Sequence, residues 1–151
     1  MNIERRTFPA IYMAFRTYAG PVARIADAIP ALVDAVRQAG GEPLGPPVAL
    51  FPSAEQDPES ILARLCVPVH AGFAGHAGLR TLTLGPVDVA VARFHGPYQD
   101  IGKAYEALST WVDEQGLSLA EGVSETFVVG PHSGVVDSEW QTDVAVRLKP
   151  L

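Results

Sequence analysis

The phrase RFHGPY (Arg93–Tyr98) has an earlier counterpart in TYAGPV (Thr17–Val22). Their Gly-Pro pairs, Gly20-Pro21 and Gly96-Pro97, lie 76 residues apart. The same offset brings further residues into register. Ile25 falls on Ile101, Leu32 on Leu108, Val36 on Val112, Gly40 on Gly116 and Phe51 on Phe127. Upstream, Ile11, Met13 and Phe15 fall on Val87, Val89 and Val91. Matches of apolar and glycine positions at one fixed offset mark an internal duplication.

Each copy reads as strand, turn, helix, then two strands. AIYMAFRTY and PVDVAVARF carry β-branched or aromatic residues at alternate positions, the period of a half-buried strand. Gly-Pro ends each one. Glycine permits the tight turn, and proline fits the first helical position, where the missing N–H costs nothing. In the second copy Ile101, Ala104, Tyr105, Leu108 and Val112 form an apolar stripe at helical spacing. Asp100 suits a first helical turn, and Gly116 the left-handed C-terminal position. In the first copy Pro30 predicts a kinked or divided helix, with its better segment from Pro30 to Gln38. The paired strands are PVALF and ILARLCVPV in one copy, and SETFVV and TDVAVRL in the other. Residues 71–80, rich in Gly and Ala, read as a connector. The expectation is one domain over 1–151, with a first repeat of about 3–70 and a second of about 81–151. Its class is α+β: duplicated β-α-β-β units related by a pseudo-twofold axis, with a mainly antiparallel sheet and helices on one side.

Composition bounds the function. With 151 residues and 48% hydrophobic content, the chain can bury the core of one ordinary domain. A net charge of −6 disfavours direct nucleic-acid binding. No apolar stretch reaches the roughly 20 residues of a membrane span, and MNIERRTFPA has no signal-peptide apolar region. A cytoplasmic protein is expected. The single cysteine, Cys66, reads as a buried hydrophobe. His70, His76, His95 and His132 fit no metal spacing, and no P-loop, Gly-x-Ser-x-Gly or dinucleotide fingerprint occurs, so neither metal nor cofactor is expected.

The copies diverge where chemistry could enter. Ala49 in VALF becomes Glu125 in SETF at the repeat-equivalent position. Strand alternation puts Glu125, Phe127 and Val129 on one face. Glutamate is a poor strand former. It is either a solvent-facing residue or a carboxylate held in an apolar cleft. The second is costly without a partner, so such groups are kept where they bind a cation or move a proton. Tyr18, Phe51, Phe127 and Trp140 are candidate aromatic walls, with core packing as the alternative for each. Tyr105 and Trp111 lie on the second helix; Tyr105 belongs to its stripe, is read chiefly as core, and could also reach the cleft.

The segment from RFHGPYQDIGKAYEALSTWV through SETFVV to TDVAVRL resembles the GyrI-like small-molecule-binding domain. This is the effector-binding domain attached to some AraC-type and MerR-type multidrug regulators. Through the repeat, the likeness covers nearly the whole chain. It implies a cleft between the two units, with the Glu-x-Tyr glutamate, here Glu125, among aromatics facing lipophilic cations. The family's tyrosine is Phe127 here, so its hydroxyl is missing while the stacking surface remains. Three functions follow as expectations. The first is a stand-alone module that senses or sequesters hydrophobic cations, since the repeat begins almost at residue 1. The second is a hydrolase opening strained rings of toxic natural products, with Glu125 as general acid or base. The third is a protein-binding regulator of the gyrase-inhibitor type. An unpaired edge strand could also join two chains into a homodimer.

Overall fold

A computed structural model describes residues 1–76 and 78–150. Ala77, in the expected connector, and Leu151, the last residue of the expected second repeat, lie outside the described residues. The chain runs β1 (Ile3–Phe8), β2 (Ile11–Gly20), α1 (Ile25–Gln38), β3 (Val48–Phe51), β4 (Ile61–Pro68). It continues through β5 (Arg80–Leu84), β6 (Val87–His95), α2 (Gly102–Glu114), β7 (Leu119–Val129) and β8 (Gln141–Leu148). All eight strands form one antiparallel sheet in the order β1-β6-β8-β7-β3-β4-β2-β5. Exchanging β1 with β5, β2 with β6, β3 with β7 and β4 with β8 reverses that order into itself. The fold is therefore the expected α+β duplication, and its pseudo-twofold axis runs between β3 and β7.

Two strands go beyond the β-α-β-β reading. Each unit begins with an extra strand, β1 or β5, and each extra strand pairs with the other unit. β1 lies along β6 and β5 along β2, so the halves are interlocked. β1 joins β2 through Pro9 and Ala10 alone, yet six strand spacings separate them in the sheet order. A flat sheet would put them roughly 29 Å apart. Three Cα steps reach only about 11 Å. The sheet must curl until the two links meet. They do: a Cβ added to Gly85 would lie 3.0 Å from the Pro9 carbonyl oxygen.

The helices cover one face. Ile25, Ile29, Leu32, Val33 and Val36 of α1 pack with Ala14, Ala63, Leu65 and Val67. Ala104, Leu108 and Val112 of α2 pack with Ala92, Phe94, Val144 and Val146. The other face carries two smaller clusters, around Met13, Phe15 and Cys66 and around Val89, Val91 and Ala145.

Two local expectations change. Pro30 lies inside one continuous helix and does not divide it. Its missing N–H falls early in α1, where it leaves only one interior carbonyl unpaired, and five buried side chains hold the helix to the sheet. Pro21 and Pro97 are not first helical residues either. Both are extended (ψ 141° and 156°) and precede single 3-10 turns, Val22–Arg24 and Tyr98–Asp100. Asp100 thus belongs to that turn. Gly116 does hold the left-handed position after α2, at φ 67°.

Candidate functional site

Glu125 lies on β7 at the centre of the sheet, on the helix-covered face. Its cross-strand partners are Ala49 on β3 and Val144 on β8. The two residues that the repeat equates, Ala49 and Glu125, therefore stand opposite each other at the pseudo-twofold axis. One unit contributes a methyl group and the other a carboxylate.

The carboxylate is enclosed, with only 9% of the residue exposed. Its Oε2 accepts a short hydrogen bond from the Tyr105 hydroxyl, presented by α2. No cationic side chain among the described residues pairs with it. Burial therefore pushes its pKa up to about 7, and the Tyr105 bond only partly opposes that shift. The phenols of Tyr105 and Tyr98 move upward as well, first through burial and then through the negative charge of Glu125.

Of the expected wall residues, Phe127 is fully buried two positions along from Glu125. Phe51 sits diagonally across the β3–β7 pair and packs against both helix-side clusters, so it bridges the halves. Trp140 meets the group through Tyr98, at 5.2 Å between ring centroids. Tyr18 is placed differently. It packs in the α1 cluster, and its hydroxyl donates to the Pro21 carbonyl at 2.5 Å, bracing the first Gly-Pro turn. Trp111 packs against the α2 cluster.

Tyr98 escaped the sequence reading. It opens the 3-10 turn after Gly96-Pro97 and stands edge-on to Phe127, with 5.3 Å between centroids and 80° between planes. Its repeat-equivalent is Val22. The comparison that exposed Ala49 against Glu125 therefore carried this signal too. The Trp140 indole N–H is buried without a hydrogen-bond partner among the described residues, and the buried Tyr98 hydroxyl lies beside Thr142 without a well-formed bond to it. An indole N–H left unpaired next to the Tyr98 ring is a polar group that the protein itself does not satisfy. The arrangement sets a carboxyl group that titrates near neutral pH close to the rings of Phe127 and Tyr98.

Cys66 lies on the opposite face, buried, with its thiol pushed up to about 12 by burial. No helix among the described residues is long and apolar enough to cross a membrane.

A curled antiparallel sheet of two interlocked units, with helices on one side, defines a duplicated α+β fold. The family model of the GyrI-like small molecule binding domain matches residues 1–149, and the chain belongs to that family. The C-terminal domain of EcmrR is similar, with a TM-score of 0.88 at 17% identity over 99% of this chain and 98% of that one. Against EcmrR in its complex with DNA in EcmrR-RPo, the chain spans only 58% of that chain's length. A hydrolase encoded by lin2189 from Listeria innocua superposes with a TM-score of 0.68 at 8% identity, over 97% of this chain and 91% of that one. SAV2435 bound to tetraphenylphosphonium does so at 0.60 and 12% identity, over 99% and 94%. At such identities these likenesses concern the fold. Comparison with curated proteins finds no match.

Proposed function

We propose that the protein binds hydrophobic cations at the axis between its two units, with Glu125 as the counter-charge. One observation carries this reading. An ionisable carboxylate is enclosed at the centre of the fold, with a phenol as its sole side-chain hydrogen-bond partner and no cation beside it among the described residues. Leaving such a charge unneutralised costs several kcal/mol, and a bound cation removes that cost. Phe127, Tyr98, Trp140 and Phe51 supply ring faces, each contributing on the order of 0.5–2 kcal/mol to a desolvated cation. The tetraphenylphosphonium carried by the fold neighbour SAV2435 has the chemistry such a site would take. Binding then serves sensing or sequestration, the first as the effector-binding part of a regulator. A fluorescence titration with lipophilic cationic dyes and matched neutral analogues tests this on wild type and Glu125→Gln. Cation-selective binding that disappears in the variant supports the reading. Equal binding of both kinds, unchanged by the substitution, refutes it.

A second reading has one specific observation in its favour. General acid–base chemistry needs a carboxyl group poised near neutral pH and a second polar group in reach. Glu125, with its pKa of about 7, and the Tyr105 hydroxyl meet both needs, although Phe127 lacks one. Hydrolysis of a strained-ring substrate that survives Glu125→Gln would exclude this reading.

A further inference from the structure

The concave face of the sheet, opposite the helices, holds a cavity of about 630 Å³. It lies on the other side of the sheet from the Glu125 carboxylate, and every strand contributes to its lining. Its floor is apolar: Phe8, Leu50, Leu62, Leu84, Val87 and Val89. Two arginines, Arg64 and Arg147, line it as well, with one carboxylate, Glu121. Neither arginine forms an ion pair among the described residues.

The arginines are held in place by the fold. The Arg64 guanidinium rests over the Phe15 ring, 5.0 Å from its centroid. The Arg147 stem crosses β7 at Gly122, where φ is +111° and an added Cβ would lie 2.9 Å from its Cδ. Only glycine suits both that backbone and that approach.

The pseudo-twofold axis supplies an internal comparison. A second, smaller cavity of about 270 Å³ lies across the crossing of the two links, lined by Met13, Leu44, Gly45, Pro46, Val48 and Pro68 among others. The registers make Pro68 the counterpart of Arg147 and Pro46 the counterpart of Gly122. Across the axis from the small apolar hollow lies the larger cavity, which carries Arg147 from the second unit and Arg64 from the first.

We infer that the larger cavity is a second binding site, for an amphipathic anion: an aliphatic chain on the apolar floor, its carboxylate or sulfonate held by Arg64 and Arg147. The volume is within the range of small-molecule sites. A guanidinium suits an oxyanion, and two of them on one cavity stand out on a chain of net charge −6. This site does not depend on the Glu125 reading.

Calorimetric titration with decanoate, decanol and decyltrimethylammonium tests it. Decanoate binds saturably, one per chain, and about tenfold more tightly than the cationic chain, a preference that high salt erodes. Arg64→Gln with Arg147→Gln weakens decanoate about tenfold and leaves decanol unchanged. Leu62→Asp, at an exposed position, places a negative charge at the cavity and weakens decanoate again. Glu125→Gln has no effect on decanoate. Equal affinity for all three chains overturns the proposal. So does loss of decanoate binding on Glu125→Gln with none on the arginine changes, because the anion would then sit in the other site. Absence of saturable binding, including through a dimer that covers the cavity, overturns it too.

Discussion

At the scale of single residues, the protonation of Glu125 couples stability to pH. Its pKa is near 7 in the folded chain and about 4.5 when unfolded, so the folded state holds the proton more tightly. The stabilisation is fully present below about pH 4.5 and is lost as pH rises through 7. The whole swing is about 3 kcal/mol, because each tenfold gain in proton affinity is worth roughly 1.4 kcal/mol. Glu125→Gln keeps an acceptor for Tyr105 and removes the charge. Its melting temperature is therefore expected to exceed that of wild type at pH 8 and to converge with it at pH 5. Thermal unfolding across that range decides the point, and a variant less stable at pH 8 would contradict it. Tyr105→Phe removes the one bond that favours the ionised form. The Glu125 titration then moves above 7, and cation affinity falls most on the acidic side. Tyr98→Phe removes a buried hydroxyl that lies beside Thr142 without a well-formed bond, so its cost in thermal unfolding is expected to fall below the roughly 1–3 kcal/mol of an ordinary buried donor pair.

At the scale of elements, α1 and α2 are held by side chains rather than by caps. Neither helix has a side-chain cap at its N-terminus. Leu108→Ala, at a fully buried position on α2, is expected to cost about 2–5 kcal/mol. Denaturant unfolding measures it, and a loss below 1 kcal/mol would mean that α2 is not anchored there. Much of this was legible in advance. Alternation marked β2 and β6, the Gly-Pro pairs marked the turns, and the shared offset marked the duplication. What stayed hidden has physical causes. β1 reads IERRTF because an edge strand exposes most of its side chains, so no apolar alternation survives. β5 is five residues long and also lies at an edge. Tyr98 follows directly on Gly96-Pro97, where the sequence pattern specifies a backbone turn and says nothing of what the ring packs against. The divergence from Ala49 to Glu125 was legible because a charge on a strand conflicts with its neighbours. The change from Val22 to Tyr98 creates no such conflict.

At the scale of the whole molecule, each half is completed by the other. β1 supplies the outer neighbour of β6, and β5 that of β2. Removing residues 1–10 therefore strips the second unit of an edge strand and takes Phe8 from both cavities. The truncated chain is expected to expose β6 as a new edge and to associate, which light scattering detects. A truncated chain that stays monomeric and as stable as the full one would mean the interlock contributes little. The same interlock forces the curl, and the curl makes the concave cavity, which no local pattern in the sequence could announce. The second unit differs from the first on both faces of the sheet, with Glu125 in place of Ala49 on one and Arg147 in place of Pro68 on the other.

The central claim is that Glu125 is the counter-charge for a bound cation. Carbon-13 NMR of the glutamate carboxyls reads its titration directly, assigned by its loss in Glu125→Gln, with and without tetraphenylphosphonium. In the free protein its midpoint is expected near 7, and saturation with the cation should drive it well below that value. A midpoint unmoved by a saturating cation would show that the charge does not face the ligand.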